Sequence, residues 1–254
     1  MRIVSWNVNS IRARLPRVLE LLGELAPDVV CAQELKCTDA SFPAAELAEA
    51  GYTAVTYGGG RWAGVGLFVP AGTEVEDARC GLDGEAQPEE ARWVEATLNG
   101  VRVASVYVPN GREVDSPTFA DKLVFLEAMA DRMAASDAPA VVAGDLNVTA
   151  DDRDVWDPAA LAGSTHVTPA ERDRFAALLA TGFVDAYRDL HPDTPQFTWW
   201  DYRGGAFHKN EGLRIDYVLL AVGYARGLQT AGIARSYRKG TKPSDHVPLV
   251  VDVA

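Results

Sequence analysis

Short apolar runs that end at polar side chains constrain the fold of this chain more than any other feature. Three runs lead into amide or carboxylate groups: residues 2–6 before Asn7, residues 29–32 before Gln33 and Glu34, and residues 140–144 before Asp145 and Asn147. Runs this short and apolar predict strands buried within a sheet. Each polar residue alone suits an ordinary loop. Because strand ends converge in one crevice of an open α/β sheet, we expect the three groups to share a site.

Helical periodicity and turn signals separate the apolar runs. Pro16 suits the first position of a helix, and Pro117 and Pro169 each follow a hydroxyl residue that can cap a helix N-terminus. Asn99-Gly100 joins two further apolar runs and predicts a β-hairpin. This mixture of strands, helices and hairpins predicts one α/β domain with mixed sheets over residues 1–254.

Composition narrows the class of protein. The chain has 254 residues, of which 48% are hydrophobic and 24% are charged, which excludes a disordered chain. No apolar run approaches the roughly 20 residues of a membrane span, and the N-terminal residues lack the apolar region of a signal peptide. An odd number of cysteines, three, indicates reduced thiols. We therefore expect a cytoplasmic protein with no membrane association.

The distribution of charge is uneven along the chain. The net charge of −12, taken alone, disfavours a polyanionic partner. Residues 197–246 nevertheless contain eight Lys or Arg and four acidic residues, together with several aromatic side chains. Such a segment could hold phosphates and stack on unpaired bases. A solvated basic face with aromatic residues in the core would give the same pattern, so both interpretations stay open.

Asp216 stands inside an otherwise apolar run, where a buried carboxylate needs a partner. Arg214 could form a structural ion pair with it, and His246 could form an Asp–His pair that favours the charged imidazole. The histidines match no zinc spacing, so any metal must be held by oxygen ligands, which suits Mg²⁺ or Mn²⁺. No Gly-x-Ser-x-Gly sequence is present, which argues against a serine hydrolase.

The glycine-rich segment at residues 58–66 invites comparison with a phosphate-binding loop. It lacks the Gly-Lys-Ser/Thr ending of that motif, and it leads into a predicted strand and not into a helix. We interpret it as a loop between strands, with Arg61 and Trp62 exposed at its tip. A contact with ligand is left open.

Seven motifs occur in an order that resembles one protein family. They are Ser5-Trp-Asn-Val-Asn-Ser-Ile-Arg-Ala, Cys31-Ala-Gln-Glu-Leu-Lys-Cys, Tyr107-Val-Pro-Asn, Gly144-Asp-Leu-Asn, Trp199-Trp-Asp-Tyr-Arg, Leu213-Arg-Ile-Asp-Tyr and Ser244-Asp-His. Together they resemble the exonuclease III family of DNA repair nucleases, the class II AP endonucleases of the endonuclease/exonuclease/phosphatase superfamily. The resemblance implies a four-layer α/β sandwich, with two mixed β-sheets packed face to face and helices outside.

The resemblance also implies roles for particular residues. Residues at or beside the metal would be Asn7, Glu34, Asp145, Asn147, Asp245 and His246. Catalytic residues would be Tyr107, Asp145, Asn147, Asp216 and His246, with Asp145 acting on the attacking water and His246 facing the scissile phosphate. Substrate contacts would be Asn110 at a phosphate and Trp199 at a flipped-out abasic sugar. Arg112, Arg203 and Lys209 are further candidate DNA contacts. Asn9 stands where some family members carry Asp.

The implied activity is that of a Mg²⁺-dependent DNA repair nuclease, with Mn²⁺ as a substitute. Duplex DNA would be its partner, especially abasic sites and 3′ ends, and the protein would act as a monomer. Its reactions would be 3′→5′ exonuclease, AP endonuclease and 3′-end cleaning. One alternative, favoured by the acidic net charge, is a phosphatase of the same superfamily that acts on a small-molecule or lipid phosphoester. A non-catalytic DNA-binding module is the other alternative.

Overall fold

The computed structural model describes residues 1–254. The strands are β1 Arg2–Asn7, β2 Val29–Gln33, β3 Tyr52–Tyr57, β4 Val65–Pro70, β5 Val75–Cys80, β6 Trp93–Leu98, β7 Val101–Tyr107, β8 Val141–Asp145, β9 Phe183–Asp185, β10 Asp216–Ala221, β11 Leu228–Ile233 and β12 Leu249–Val253. The helices are α1 Ile11–Leu25, α2 Ala44–Glu49, α3 Pro117–Ala134, α4 Pro169–Ala180, α5 Ala186–Leu190, α6 Ala206–Lys209 and α7 Val222–Ala225. None of the helices combines the length and the apolar character that crossing a lipid bilayer requires.

The strands form two six-stranded sheets, in the orders β11-β12-β1-β2-β4-β3 and β5-β6-β7-β8-β10-β9. Each sheet contains one parallel pair, β1 with β2 and β7 with β8, and the other neighbours are antiparallel. Both sheets are therefore mixed, as predicted. Because the strands of each parallel pair run in the same direction, the C-terminal ends of β1 and β2 lie side by side, and so do those of β7 and β8.

Alternation along the strands sorts side chains into layers. In β1, Ile3 packs in a core shared by both sheets, whereas Val4 and Trp6 pack in a second core together with apolar residues of α1. A third core joins the outer face of the other sheet to α3 and α4. The order helix, sheet, sheet, helix makes a four-layer α/β sandwich, and the predicted fold class is confirmed.

The prediction that Pro16 begins a helix is wrong. Helix α1 begins at Ile11, so Pro16 lies inside it and removes one internal hydrogen bond. The N-terminus of α1 is instead set by Ser10, whose side chain accepts from the Ala13 N–H. The backbone N–H groups of Ser10 and Ile11 also donate to the segment after β2. These contacts and the apolar face of α1 outweigh the loss at Pro16.

Other local predictions are confirmed. Asn99 and Gly100 have φ angles of 47° and 82°, the left-handed conformation that a tight hairpin between β6 and β7 requires. The capping box at Thr168 and Glu171 begins α4. The segment at residues 58–64 is a loop between β3 and β4, and its Trp62 side chain is 66% exposed.

Candidate active site

Asn7 joins two carboxylates that come from different sheets. It lies at the end of β1, whereas Glu34 follows β2 and Asp145 ends β8. Its amide Nδ2 donates to Glu34 Oε1 at 2.7 Å and to Asp145 Oδ2 at 2.9 Å. Its Oδ1 accepts from the backbone N–H of Asn9 at 3.0 Å, which sets the orientation of the amide. The strand ends thus converge as expected, and Asn7 holds the two carboxylates beside each other through its amide group.

Glu34, Asp145 and His246 each offer a ligand atom, and these atoms all lie within 4.8 Å of one another. The carboxylates of Glu34 and Asp145 supply oxygen atoms of the kind that hold a divalent metal ion, and His246 lies beside them. Glu34 Oε2 also contacts Lys36 Nζ at 2.6 Å, and this ammonium group donates to Asn9 Oδ1 at 2.6 Å. Lys36 therefore balances part of the negative charge of the cluster.

Two other residues predicted beside the metal have different hydrogen-bond partners. Asp245 Oδ1 accepts from Asn9 Nδ2 at 2.8 Å, and Asp245 Oδ2 accepts from Trp199 Nε1 at 3.1 Å. Asn147 Oδ1 accepts from Asn110 Nδ2 at 3.2 Å. Asp245 and Asn147 therefore border the cluster, with their oxygens engaged by neighbouring side chains.

His246 is buried between two carboxylates. Its Nδ1 donates to Asp216 Oδ2 at 2.8 Å, and its Nε2 lies 3.6 Å from Asp145 Oδ2. Burial alone would lower the pKa of His246, but the charges of Asp216 and Asp145 raise it to about 10. The imidazole is therefore a cation at neutral pH, and Asp216 fixes its orientation.

Arg214, the other candidate partner of Asp216, forms a separate network. Its guanidinium contacts Asp154 at 2.7 Å and Asp185 at 2.8 Å, and all three side chains are buried. The antiparallel register of β10 and β8 places Asp216 opposite Asp145. The sequence left Arg214 and His246 as alternatives for Asp216, and the structure selects His246.

Asp145 and Asn147 form a compact turn after β8. Burial raises the pKa of Asp145 to about 7, although His246 and the hydrogen bond from Asn7 oppose this rise. A carboxylate with a pKa near neutrality can accept a proton from water. Asn147 has a left-handed φ of 52°, and its backbone N–H donates to Asp145 Oδ1 at 2.9 Å.

Tyr107 ends β7 beside this centre. Burial, together with the negative charges of Glu34 and Asp145, raises the pKa of Tyr107 well above its usual range. The phenol therefore keeps its proton and can donate a hydrogen bond. The guanidinium of Arg92 stacks over the ring, 4.8 Å from its centre, which limits rotation of the side chain.

The sequence did not predict a buried ion pair that contacts the backbone of Asn147. Lys122 and Glu171 form a fully buried ion pair, and Lys122 Nζ donates to the Asn147 carbonyl oxygen at 2.7 Å. His166 Nδ1 donates to the same carbonyl oxygen. A signal existed, because Lys122 lies at helical spacing from the buried Phe119 on α3.

The predicted substrate contacts surround the centre unevenly. Trp199 is half-buried and Trp200 is fully buried, so adjacent tryptophans face opposite sides. Asn110 and Arg112 are exposed in a groove of about 380 Å³ that also reaches Glu34 and Trp62. The glycine-rich loop therefore lies on the same groove as Glu34 of the candidate metal cluster.

Two basic residues predicted to contact DNA have acidic neighbours. Arg203 is 89% exposed, and its guanidinium binds the Asp201 carboxylate at 2.8 Å. Lys209 is 60% exposed and lies 3.7 Å from a Glu211 oxygen. Exposed pairs of this kind contribute little stability, but each one reduces the positive potential around its cation.

Comparison with protein-family models gives the class of protein that has this fold and this site. The Endonuclease/Exonuclease/phosphatase family matches residues 4–246. The chain belongs to this family, and the resemblance identified from the seven motifs is confirmed.

Among particular relatives, exodeoxyribonuclease III of Haemophilus influenzae is 30% identical over 271 residues, covering 98% of each chain. DNA repair nuclease APEX1 of Danio rerio is 30% identical over 269 residues, covering 100% of this chain and 82% of the relative.

Solved structures share the whole fold. A 3′ phosphatase from Neisseria, bound to a product DNA hairpin, has a TM-score of 0.96 at 34% identity. An AP endonuclease from Archaeoglobus fulgidus has a TM-score of 0.94 at 34% identity. Each comparison covers 100% of this chain and 99% of the other.

Proposed function

We propose that this protein is a Mg²⁺-dependent DNA repair nuclease that hydrolyses phosphoester bonds at the 3′ ends of duplex DNA. The observation that carries the proposal is the buried His246, which is held by Asp216 beside the carboxylates of Glu34 and Asp145. Similarity to a 3′ phosphatase bound to a DNA hairpin supports DNA as the substrate.

Glu34 and Asp145 would hold the metal, with His246 at its border. Carboxylate oxygens suit Mg²⁺, and Mn²⁺ can substitute because it accepts similar ligands. When bound, the ion would polarise a phosphoryl oxygen and stabilise charge in the transition state. Asn7 would keep the two carboxylates apart and aligned through its two hydrogen bonds.

The other residues would act on the phosphate and on water. His246 would direct Nε2–H toward an oxygen of the scissile phosphate, since Asp216 occupies Nδ1. Asp145 would orient the attacking water and take its proton. Asn147 and Asn110, which are joined by a hydrogen bond, would contact the phosphate together. Tyr107 would donate to the leaving oxygen.

Incision at abasic sites is a second activity that we propose. Trp199 offers a half-buried aromatic wall held by Asp245 at the edge of the centre. A sugar without a base loses little stacking when it leaves the duplex, so an aromatic wall can accept it selectively.

A single gel assay tests these activities. Labelled hairpin duplexes would carry a normal recessed 3′ end, a 3′-phosphate or one internal abasic analogue, each incubated with Mg²⁺ or with EDTA. We expect metal-dependent removal of the 3′-phosphate and shortening of the 3′ end, with an additional incision product at the abasic analogue. Absence of every DNA product, with hydrolysis of a soluble phosphoester, would instead identify a small-molecule phosphatase.

A further inference from the structure

A second pocket, with a volume of about 370 Å³, lies beside the tryptophan segment. Its walls come from residues 201–202, 205–208 and 238–240, and include Tyr202, Phe207, His208, Arg238 and Lys239. None of these residues belongs to the candidate metal cluster. The pocket is therefore separate from the candidate metal cluster.

Arg238 is an unpaired cation in the wall of this pocket. Its side chain is buried, with 9% of the residue exposed, and no carboxylate lies within 4.0 Å of its guanidinium. Its Nη2 donates to the Trp200 carbonyl oxygen at 3.2 Å, and its buried Nε has no hydrogen-bond partner. Burial of an unpaired charge is costly, and the fully buried Arg214 has two carboxylates against it. An anion from outside the chain would complete the environment of Arg238.

Aromatic rings hold the Arg238 guanidinium in place. It lies 4.8 Å from the ring centre of Tyr202 and 5.5 Å from that of Phe207. The Tyr202 hydroxyl donates to the Pro243 carbonyl oxygen at 2.8 Å and accepts from Arg14 Nη2 at 2.7 Å, so this ring is itself fixed. A planar guanidinium oriented in advance suits the geometry of a phosphate.

The charges around the pocket also favour an anion. Lys239 and His208 are exposed at its rim. The one acidic wall residue, Asp201, forms its ion pair with Arg203 through both of its oxygens, and the charge of Arg238 adds to the lowering of the Asp201 pKa without a direct contact. In a chain with a net charge of −12, Arg238 and Lys239 make a local concentration of positive charge at this pocket, which attracts an anion.

The pocket is connected to the candidate active site through the chain. Trp200, whose carbonyl oxygen accepts from Arg238, donates its backbone N–H to the Asp245 carbonyl oxygen at 3.1 Å. The adjacent Trp199 donates to the Asp245 carboxylate. We propose that Arg238 binds a phosphate of the DNA backbone that flanks the scissile phosphate. This inference rests on the proposed function, because it assigns a further contact to the same substrate.

The test combines protein variants with neutral phosphate substitutions. Binding of hairpin duplexes, each with one methylphosphonate, would be measured in EDTA for the wild type, Arg238→Met and Arg226→Met. Arg226 is a control for the loss of one arginine charge outside this pocket, because it is exposed, forms no ion pair and does not line the pocket. At one flanking position we expect affinity to fall roughly tenfold for the wild type and for Arg226→Met, but not for Arg238→Met. The salt dependence of Arg238→Met should be shallower by about 0.9.

Equal losses for all three proteins at every position would overturn the proposal. If Arg238→Met does not fold, as judged by circular dichroism, Arg238→Lys keeps the charge and should show a smaller loss than wild type at that position. A different result would be that inorganic phosphate raises the melting temperature of the wild type while no methylphosphonate position changes its affinity for DNA. This result would identify a site for a free anion and overturn the DNA assignment. Removal of 3′ ends by the wild type is measured separately, so failure of this contact is distinguishable from failure of the proposed function.

Discussion

At the residue scale, the centre is organised by pairs of side chains in which one orients the other. Asp216 holds His246, Asn7 holds Glu34 and Asp145, and the positions of these groups are set by hydrogen bonds of 2.7 to 2.9 Å. Such pairs act as units, so their contributions are not additive.

Replacing Asp216 with Asn should misorient the imidazole and lower the pKa of His246, because Asp216 is the carboxylate that raises this pKa most. We expect kcat on a 3′-phosphate duplex to fall by roughly 10²–10⁴. The double variant Asp216→Asn/His246→Asn should be little worse than either single variant. Losses in kcat that simply multiply would show that the two residues act independently.

Glu34→Gln keeps the size of the side chain and removes its charge. We expect Mg²⁺ to raise the melting temperature of the wild type, because binding to the folded state stabilises it, and to have little effect on the variant. DNA binding in EDTA should remain. An equal Mg²⁺-dependent shift in both proteins would place the metal elsewhere.

Truncation of the two adjacent tryptophans should have different effects on stability and on the choice of substrate. Trp200→Ala should lower the free energy of unfolding by about 3–5 kcal/mol, because the side chain is fully buried. Trp199→Ala should change stability little and should reduce the ratio of abasic incision to digestion of a normal 3′ end. Melting temperature and this product ratio are the two measurements. A changed ratio in Trp200→Ala alone would reverse the assignment.

At the scale of elements, helices α3 and α4 are tied to the turn after β8 by buried polar groups. Lys122 on α3 and Glu171 on α4 form an ion pair with no exposed surface, and Lys122 and His166 both contact the Asn147 carbonyl oxygen. The capping box at Glu171 was predictable because it is local. Its pairing with Lys122, 49 residues away along the chain, was not.

Lys122→Met should leave the Glu171 charge buried without its partner. We expect the free energy of unfolding to fall by about 3–5 kcal/mol in urea denaturation. Lys209→Met, at an exposed lysine, is the control and should change stability by less than about 0.5 kcal/mol. Adding Glu171→Gln to Lys122→Met should recover part of the loss. No recovery would mean that packing, and not charge, dominates.

Stability should also depend on pH through His166. Burial, aided by the charge of Lys122, lowers the pKa of His166 from 6.5 to about 3, so the folded state keeps it neutral while the unfolded state binds a proton. The stabilising contribution is present above about pH 6.5 and is lost as pH falls toward 3. His166→Asn should therefore flatten the decline of the unfolding free energy in this range. Identical pH profiles would contradict the assignment.

At the scale of the whole molecule, an acidic protein must bind DNA through few positive sites. The net charge is −12, and Arg203 and Lys209 both have acidic neighbours. Binding therefore depends on local arrangement of charge more than on the overall field.

We expect the slope of log affinity against log salt for a duplex to be shallow, with a magnitude below about 5, because few phosphates are neutralised. Arg203→Gln combined with Lys209→Gln should lower it further. Fluorescence anisotropy at several salt concentrations gives the slope. A slope near 10 that persists in the double variant would indicate another binding face.

Features that depend on neighbours along the chain were predictable from the order of the amino acids. Apolar runs predicted the strands that lead to Asn7, Glu34 and Asp145, and local turn chemistry predicted the hairpin at Asn99-Gly100. Strand β5 was missed because all its residues are exposed and carry no buried alternating pattern. Family motifs indicated candidate site residues without their contacts.

The pairing of groups that are far apart along the chain depends on how the two sheets pack. Asn7 and Asp145 are 138 residues apart, and only the packing of the two sheets makes Asn7 a bridge between carboxylates. Arg214 forms ion pairs with Asp154 and Asp185, whereas Arg238 forms none, although the two residues are of the same type and carry the same charge. Hydrogen bonding and burial depend on position in space, and residue type alone does not encode which partner the folded chain brings within reach.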